Sequence, residues 1–221
     1  MPPEAYVIAV TGMAFEARIA AGPGLLVLTG DAASKNNISA SVRKGCRGII
    51  SFGIAGGLVS GLKPGACIVA RSVMMGAQKF ASHRAWSDRL LSTIPGSVHA
   101  DIAGARVPVS SRHDKQKLAS ATRAVAVDME SFGSAVAALE HKLPFAALRV
   151  VADPCHRDLP PAALSKRRTD GRTDLSAVWA SIVTQPGQLG ALFRLGLDTR
   201  TARVAMVRSR ALAGPGFGFI G

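Results

Sequence analysis

The sequence has few aromatic residues, few cysteines and few regularly spaced histidines. Aromatic side chains make up 5% of the 221 residues, which disfavours a nucleic-acid module built on stacked rings. The three cysteines, Cys46, Cys67 and Cys155, are odd in number and form no C-x-x-C pair, which disfavours a disulfide framework and a cysteine zinc site. The five histidines show neither H-x-H nor H-E-x-x-H spacing, so we expect no metal.

Long apolar runs are also missing. The uncharged run from Gly48 to Leu62 is shorter than the ~20 residues of a membrane-spanning helix and is rich in glycine. The first residues include Glu4, an acid, where a signal peptide carries positive charge. We therefore expect a cytoplasmic protein, whose 48% hydrophobic residues are enough to build a sizeable core.

Acidic residues are scarce relative to basic ones. The chain has 27 Lys and Arg against 14 Asp and Glu, a net charge of +13, and the excess is concentrated beyond residue 165. A net positive charge of this kind is typical of proteins that bind nucleic acid, an anionic membrane or an anionic substrate. The alternative is that it results from arginines on solvated surfaces. We expect one domain over residues 1–185, followed by a basic segment over residues 186–221 that is helical or loosely ordered.

Short apolar segments alternate with helical segments along the chain. The predicted strands are Tyr6 to Val10, Leu25 to Thr29, Gly48 to Phe52, Cys67 to Ala70, Arg106 to Val109, Ala124 to Val127 and Phe145 to Val151. The predicted helices are Met13 to Ala21, Glu130 to His141, Leu175 to Val183 and Leu189 to Leu197. Continuous apolar strands between helices indicate an α/β fold with a mostly parallel sheet covered on both faces.

Ligands of such sheets bind beyond the carboxyl ends of the strands. Four segments occupy such positions, namely residues 12–16, the glycine-rich loop 53–57, residues 128–130 and Asp153. The glycine loop matches no phosphate-binding or dinucleotide-binding fingerprint, so a structural turn is its alternative. Asp128 and Glu130 suit either helix capping or ligand hydroxyl groups. Asp153 is either a turn residue or a general acid, and in the second case burial raises its pKa.

Five motifs together resemble the purine nucleoside phosphorylase and methylthioadenosine nucleosidase superfamily. They are VTGMAFE (10–16), SFGIAGGL (51–58), KPGACIVA (63–70), VDMES (127–131) and LRVVAD (148–153). Within it, TGMAFEARIA (11–20), DPCHRDLPPA (153–162) and PGQL (186–189) are similar to the hopanoid-associated nucleoside phosphorylases. The resemblance implies a three-layer α/β/α sandwich around a mixed, mostly parallel twisted sheet, a basic helical C-terminal extension and a homo-oligomer.

The activity implied by the resemblance is cleavage of an N-glycosidic bond of an adenine nucleoside. The hopanoid branch implies phosphorolysis of adenosylhopane to adenine and a phosphoribosyl-hopane, with inorganic phosphate as co-substrate and no cofactor. One alternative is a hydrolytic nucleosidase acting on methylthioadenosine or adenosylhomocysteine. Another is a nucleoside-binding protein that has lost turnover. Nucleic-acid binding would rest on charge alone and is disfavoured.

The resemblance also implies roles for single residues on the base and ribose. Asp153 corresponds to the acid that protonates adenine N7, and Glu130 to the acceptor of the ribose hydroxyl groups. Met129 would pack under the ribose. The base would be bound by Ala55, Gly56 and Asp128.

The resemblance implies that five further residues lie on the side of the nucleophile. Gly12, Gly53, Ile54 and Arg18 would bind phosphate or the nucleophile. Ile54 stands where many relatives have a Ser or Thr that binds the nucleophile, so a bound phosphate would lose a hydroxyl donor. Glu16 corresponds to the glutamate that activates water in hydrolytic relatives. These residues therefore leave the choice between phosphorolysis and hydrolysis open, and the resemblance to the hopanoid branch favours phosphorolysis.

A lipid-linked nucleoside would be held at the inner membrane. The basic C-terminal segment alternates arginines with apolar residues and is a candidate for peripheral contact with an anionic leaflet. Its arginines are Arg194, Arg200, Arg203, Arg208 and Arg210, and it ends in an apolar stretch from Phe217 to Ile220. The alternative is an ordinary solvated helix or one that contacts another subunit.

Overall fold

The computed structural model describes residues 5–160 and 189–219. The strands in these ranges are β1 (Tyr6–Thr11), β2 (Leu25–Thr29), β3 (Cys46–Gly57), β4 (Cys67–Met75), β5 (Gln78–Ala81), β6 (Val98–Gly104), β7 (Ala126–Asp128) and β8 (Phe145–Asp153). The helices are α1 (Ala14–Ala20), α2 (Lys35–Ser41), α3 (Arg84–Thr93), α4 (Arg112–Thr122), α5 (Ser131–Glu140) and α6 (Leu189–Ala213). A short 3-10 helix, Pro215–Gly218, follows α6.

The strands form one mixed sheet in which most neighbours are parallel. Strands β2, β1, β3 and β8 lie side by side and are parallel, whereas β4 pairs antiparallel with β8 and carries β5 as a hairpin. On the other side of β4 come β6 and then β7, and β7 returns to pair antiparallel with Gly56 and Gly57 at the end of β3. Register shifts in β3 and β4 bend both strands, which lets β3, β8, β4, β6 and β7 close on one another.

Helices cover both faces of the sheet, which confirms the predicted three-layer architecture. Along β1, Ile8 and Val10 pack towards α2 and α5, whereas Val7 and Ala9 pack towards the layer of α1, α3 and α6. This alternation follows from the period of two of a strand, and both sets are apolar because both faces are covered. The buried residues of α6 that face the sheet include Ala202 and Met206.

One strand prediction was wrong. Residues 106–109 form no strand but an irregular segment with Val107 68% exposed, and the strand lies earlier, at β6. Because His99 and Asp101 interrupt the apolar run of β6, the strand lacks the continuous hydrophobic signal of its neighbours. The predicted helix over residues 175–183 and the predicted boundary at residue 185 lie outside the described residues.

The predicted helix from Leu189 continues to Ala213, and the chain end beyond it is packed rather than loose. Phe217 is fully buried against Phe52, with 4.9 Å between ring centroids, and its carbonyl accepts a hydrogen bond of 2.8 Å from Trp86 Nε1. The guanidinium of Arg210 lies 4.5 Å from the centre of the Phe217 ring. The loose order expected for the chain end is therefore wrong for residues 214–219. None of the helices in the described ranges is long and apolar enough to cross a bilayer.

Because the chain end packs against the core, we expect it to contribute to the free energy of unfolding. Phe217→Ala removes a fully buried ring and should lower the free energy of unfolding by about 3 kcal/mol. Phe193→Ala is the matched control, because this ring is 70% exposed and its loss should change stability by less than about 0.5 kcal/mol. Urea denaturation measures both. Equal stabilities of the two variants would show that the chain end does not stabilise the core.

Candidate active site

A cavity of about 230 Å³ opens where β1, β3, β7 and β8 end. Parallel strands bring their carboxyl ends to one edge, so residues far apart in the sequence meet there. Nine of the residues predicted for the site line this cavity: Gly12, Glu16, Ile54, Ala55, Gly56, Asp128, Met129, Glu130 and Asp153. Leu195 and Thr199 of α6 complete the wall.

Two predicted residues do not line the cavity. Arg18 is exposed on α1, because a helix that turns Glu16 and Ala20 inward directs the residue midway between them outward. Gly53 lies behind the wall, where a Cβ atom would come within 2.6 Å of Arg149 Nη1 and 2.7 Å of Glu16 Oε1. A glycine is required there because it lets these two side chains approach the backbone.

Glu16 is held by three backbone N–H groups at the junction of β1, β3 and α1. Its Oε2 accepts hydrogen bonds from Gly12 (2.7 Å) and Met13 (2.8 Å), and its Oε1 accepts one from Ile54 (2.8 Å). Burial and, after it, the charge of Glu130 raise the pKa of Glu16 to about 7, although Arg149 and the N–H groups oppose this shift. A carboxyl group with this pKa is suited to exchange protons near neutral pH.

A fully buried arginine in the middle of β8 connects the acidic residues of the cavity. Arg149 Nε lies 2.8 Å from Asp128 Oδ2, and its Nη1 lies 3.3 Å from Glu130 Oε2. Its guanidinium also donates to Ser51 and Ser131. Burial disfavours the charge of Arg149, but the nearby carboxylates outweigh this and raise its pKa. Arg149 was not among the residues predicted for the site, although a charged residue inside an apolar strand is the sequence signal for such a role.

The carboxylate of Asp128 is occupied by partners within the protein. Its Oδ1 accepts hydrogen bonds from the backbone N–H groups of Glu130 (3.1 Å) and Ser131 (2.8 Å) at the start of α5. Its Oδ2 faces Arg149 and the Ser131 hydroxyl. These contacts brace α5 against β8, and the base-binding role assigned to Asp128 stays a prediction. The neighbouring Met129 is 38% exposed and reaches over the cavity.

Asp153 ends β8 and has a buried lysine as its partner. Lys115 Nζ of α4 lies 2.6 Å from Asp153 Oδ2 and also donates to the carbonyls of Pro154 and Arg157. Burial raises the pKa of Asp153, and Lys115 opposes this shift without cancelling it. Sequence reasoning missed Lys115, because the polar run at the start of α4 is typical of a solvated helix face. The carboxyl therefore sits in the cavity wall with its orientation fixed from behind.

The site thus contains two buried carboxyl groups with raised pKa values in different surroundings. Glu16 lies among backbone donors near Arg149 and Glu130, and Asp153 lies against Lys115. A pair of titratable groups in one cavity with different partners is the arrangement that general acid and base catalysis requires. The cavity also offers apolar contacts through Val107, Leu159 and Leu195.

Comparison with known proteins agrees with this architecture. Residues 6–183 match the sequence model of the phosphorylase superfamily, and no curated protein matches the chain in sequence. Among solved structures, futalosine hydrolase of Helicobacter pylori shares 15% identity over 94% of this chain and 97% of its own, with a TM-score of 0.64. A variant of the methylthioadenosine nucleosidase of the same organism, with 5′-methylthioadenosine in its active site, shares 14% over 94% and 98%, with a TM-score of 0.64. The nucleosidase of Streptococcus pneumoniae shares 14% over 94% and 98%, with a TM-score of 0.63.

The pairing of Lys115 with Asp153 gives a prediction that needs no substrate. Lys115→Met removes a cation at 2.6 Å, the largest cause that opposes burial, so the pKa of Asp153 should rise further. Carbon-13 NMR titration of the side-chain carboxyl measures this, with Asp153→Asn identifying the signal. Lys117→Met on the exposed face of α4 is the matched control and should leave the titration unchanged. An unshifted Asp153 signal in Lys115→Met would contradict the pairing.

Proposed function

The chain belongs to the phosphorylase superfamily, and we propose that it is an enzyme that hydrolyses the N-glycosidic bond of an adenine nucleoside. The observation that supports this most is the buried Glu16 carboxyl, fixed by three backbone N–H groups in the same cavity as Asp153. The nucleoside bound in a structure of the same fold, 5′-methylthioadenosine, supports the substrate class.

Asp153 acts on the leaving base. When the bond between C1′ and the purine nitrogen breaks, its electron pair moves onto adenine, and a proton delivered to N7 neutralises the developing charge. Burial keeps the Asp153 carboxyl protonated to higher pH than an exposed aspartate, which suits a proton donor. General acid catalysis of this kind contributes about 10²–10⁴-fold to a rate.

Glu130 and Met129 act on the sugar. The Glu130 carboxylate, 3.3 Å from Arg149 Nη1, accepts hydrogen bonds from the ribose hydroxyl groups. These bonds strengthen as the ribose gains positive charge on losing the base, so they stabilise the transition state more than the substrate. Met129 supplies an apolar surface beneath the ring.

The donors on the nucleophile side favour water over phosphate. The backbone N–H groups of Gly12 and Ile54 are used by Glu16, and Ile54 offers no hydroxyl group. A phosphate dianion would also meet the charge of Glu130, which already raises the pKa of Glu16. Ionised Glu16 instead removes a proton from water, and the water oxygen bonds to C1′ as adenine leaves.

Phosphorolysis of a lipid-linked adenine nucleoside is the second candidate. The observation that favours it is the apolar wall of the cavity, where Val107 is 68% exposed and Leu159 and Leu195 lie nearby. Such a wall suits a large apolar substituent, as in adenosylhopane, whose cleavage would yield adenine and a phosphoribosyl-hopane. Glu16 would then bind inorganic phosphate in its protonated form, which its pKa of about 7 permits. Neither candidate needs a cofactor.

Adenine release with and without inorganic phosphate distinguishes the candidates. We expect release from methylthioadenosine without phosphate, measured by chromatography, and a loss of at least ~10²-fold in Asp153→Asn and Glu16→Gln. Asp88→Asn and Glu140→Gln are matched controls on exposed helix faces and should retain full rates. Strict phosphate dependence with a sugar phosphate product, above all with adenosylhopane, would establish the second candidate. Adenine binding without cleavage would indicate a nucleoside-binding protein.

The pKa of Glu16 predicts a pH dependence. Because the hydrolytic base acts only when ionised, kcat/KM should rise with pH through about 7, the pKa of Glu16. Glu16→Gln should lack the rise through pH 7, and a wild-type rate that is flat between pH 6 and 8 would contradict Glu16 as the base.

A further inference from the structure

Helix α6 is apolar on two opposite faces. Towards the sheet it buries Ala202 and Met206, and towards solvent it exposes a stripe of four apolar side chains. These are Phe193 (70% exposed), Leu197 (48%), Val204 (65%) and Val207 (52%). Their spacing keeps them on one side of the helix. An exposed apolar stripe rimmed by charged residues marks an interaction surface.

Exposed cations surround this stripe. Arg200 lies within it, and Arg203 and Arg208 lie beside it, all exposed. The one acidic residue of α6, Asp198, is paired with Arg157 in a second cavity of about 310 Å³, which adjoins the first and shares Asp153 and Leu195 with it. We call the seven residues Phe193, Leu197, Arg200, Arg203, Val204, Val207 and Arg208 the outer face of α6.

Helix α1, which lies beside α6, also carries exposed positive charge. Arg203 lies 6.0 Å from the centre of the Phe15 ring of α1, so the two helices are adjacent. The exposed charged residue of α1 is Arg18, and the acidic residue of α1, Glu16, is buried in the cavity. The surface formed by these two helices therefore presents apolar groups and positive charge together.

We propose that the outer face of α6 docks on an anionic membrane surface. Apolar side chains enter the boundary between headgroups and acyl chains, while the flanking arginines meet the anionic headgroups. A second copy of the chain fits less well, because a symmetric contact through this face would bring arginines of like charge together. This inference is independent of the proposed function.

Some of the residues that the sequence offered for membrane contact do not lie on the outer face of α6. Arg210 is turned inward, where its Nε donates to the Ala20 carbonyl (3.0 Å) and its Nη1 to the Gly214 carbonyl (2.7 Å). Phe217 is fully buried, and Arg194 lines the second cavity. Of the five arginines that the sequence offered, only Arg200, Arg203 and Arg208 belong to the outer face.

Docking through α6 would place the cavity near the lipid. Leu195 and Thr199 of the same helix line the cavity that contains Glu16 and Asp153. A face of α6 on the membrane therefore brings a wall of the cavity within one helix diameter of it, about 10 Å. An amphiphilic nucleoside held in that membrane would have a short path to the site.

Vesicle co-sedimentation of the full chain without substrate tests the proposal. We expect binding to vesicles of phosphatidylglycerol and phosphatidylcholine at low salt, little binding to phosphatidylcholine alone, and release by salt. Arg200→Gln, Arg203→Gln and Arg208→Gln combined should weaken binding by roughly fivefold for each arginine removed. Phe193→Ser with Val204→Ser should weaken it at unchanged net charge.

The matched control combines Arg47→Gln, Arg84→Gln and Lys117→Gln, which remove the same charge from other exposed positions. It should bind nearly as well as the wild type, and thermal unfolding shows whether each variant is folded. Absence of vesicle binding, or equal weakening in the control, would overturn the proposal. A change in oligomeric state of Phe193→Ser with Val204→Ser in sedimentation velocity, with vesicle binding intact, would assign the face to a second copy instead.

Discussion

The ion pairs of the buried Arg149 guanidinium hold the acidic residues of the site in position. It lies at the centre of β8, between the strands that form the middle of the sheet, and compensates the carboxylates of Asp128 and Glu130. Without it, the buried carboxylate of Asp128 would lose the cation that compensates its charge, at a cost of several kcal/mol. Because it also reaches Ser51 of β3, it fixes two strands and the start of α5 relative to one another. The site is therefore part of the core and not an addition to its surface.

The two carboxyl groups assigned to chemistry differ in what compensates them. Glu16 is buried among backbone N–H groups, and the charge of Arg149 that reaches it is shared with Asp128 and Glu130. Asp153 has a cation of its own, Lys115, which forms no ion pair with another carboxylate among the residues that the structure describes. A shared cation leaves the pKa of Glu16 sensitive to the ionisation of Glu130, whereas a dedicated cation keeps Asp153 oriented whatever its neighbours do. Under the proposed function, this asymmetry distinguishes the group that accepts a proton from the group that donates one.

The sequence predicted where the site residues lie better than it predicted which side chains they contact. Glu16, Glu130 and Asp153 were placed at one site because they follow strands of a parallel sheet, and topology alone brings such ends together. Arg18 was misplaced because the direction of a side chain on a short helix depends on which residues the helix buries. Lys115 was missed because its partner is distant in sequence and its own helix is polar. A partner set by tertiary distance leaves no local pattern to detect.

Helix α6 connects the chain end to the chemistry. Its inner face covers the sheet and its N-terminal half lines the cavity, so its position sets how wide the cavity is. The pair between Asp198 of α6 and Arg157 joins the helix to the loop that follows Asp153, and the Arg157 carbonyl accepts a hydrogen bond from Lys115. These two contacts therefore link α6 to the lysine that orients Asp153. Whatever covers the outer face of this helix acts on the same element that shapes the site.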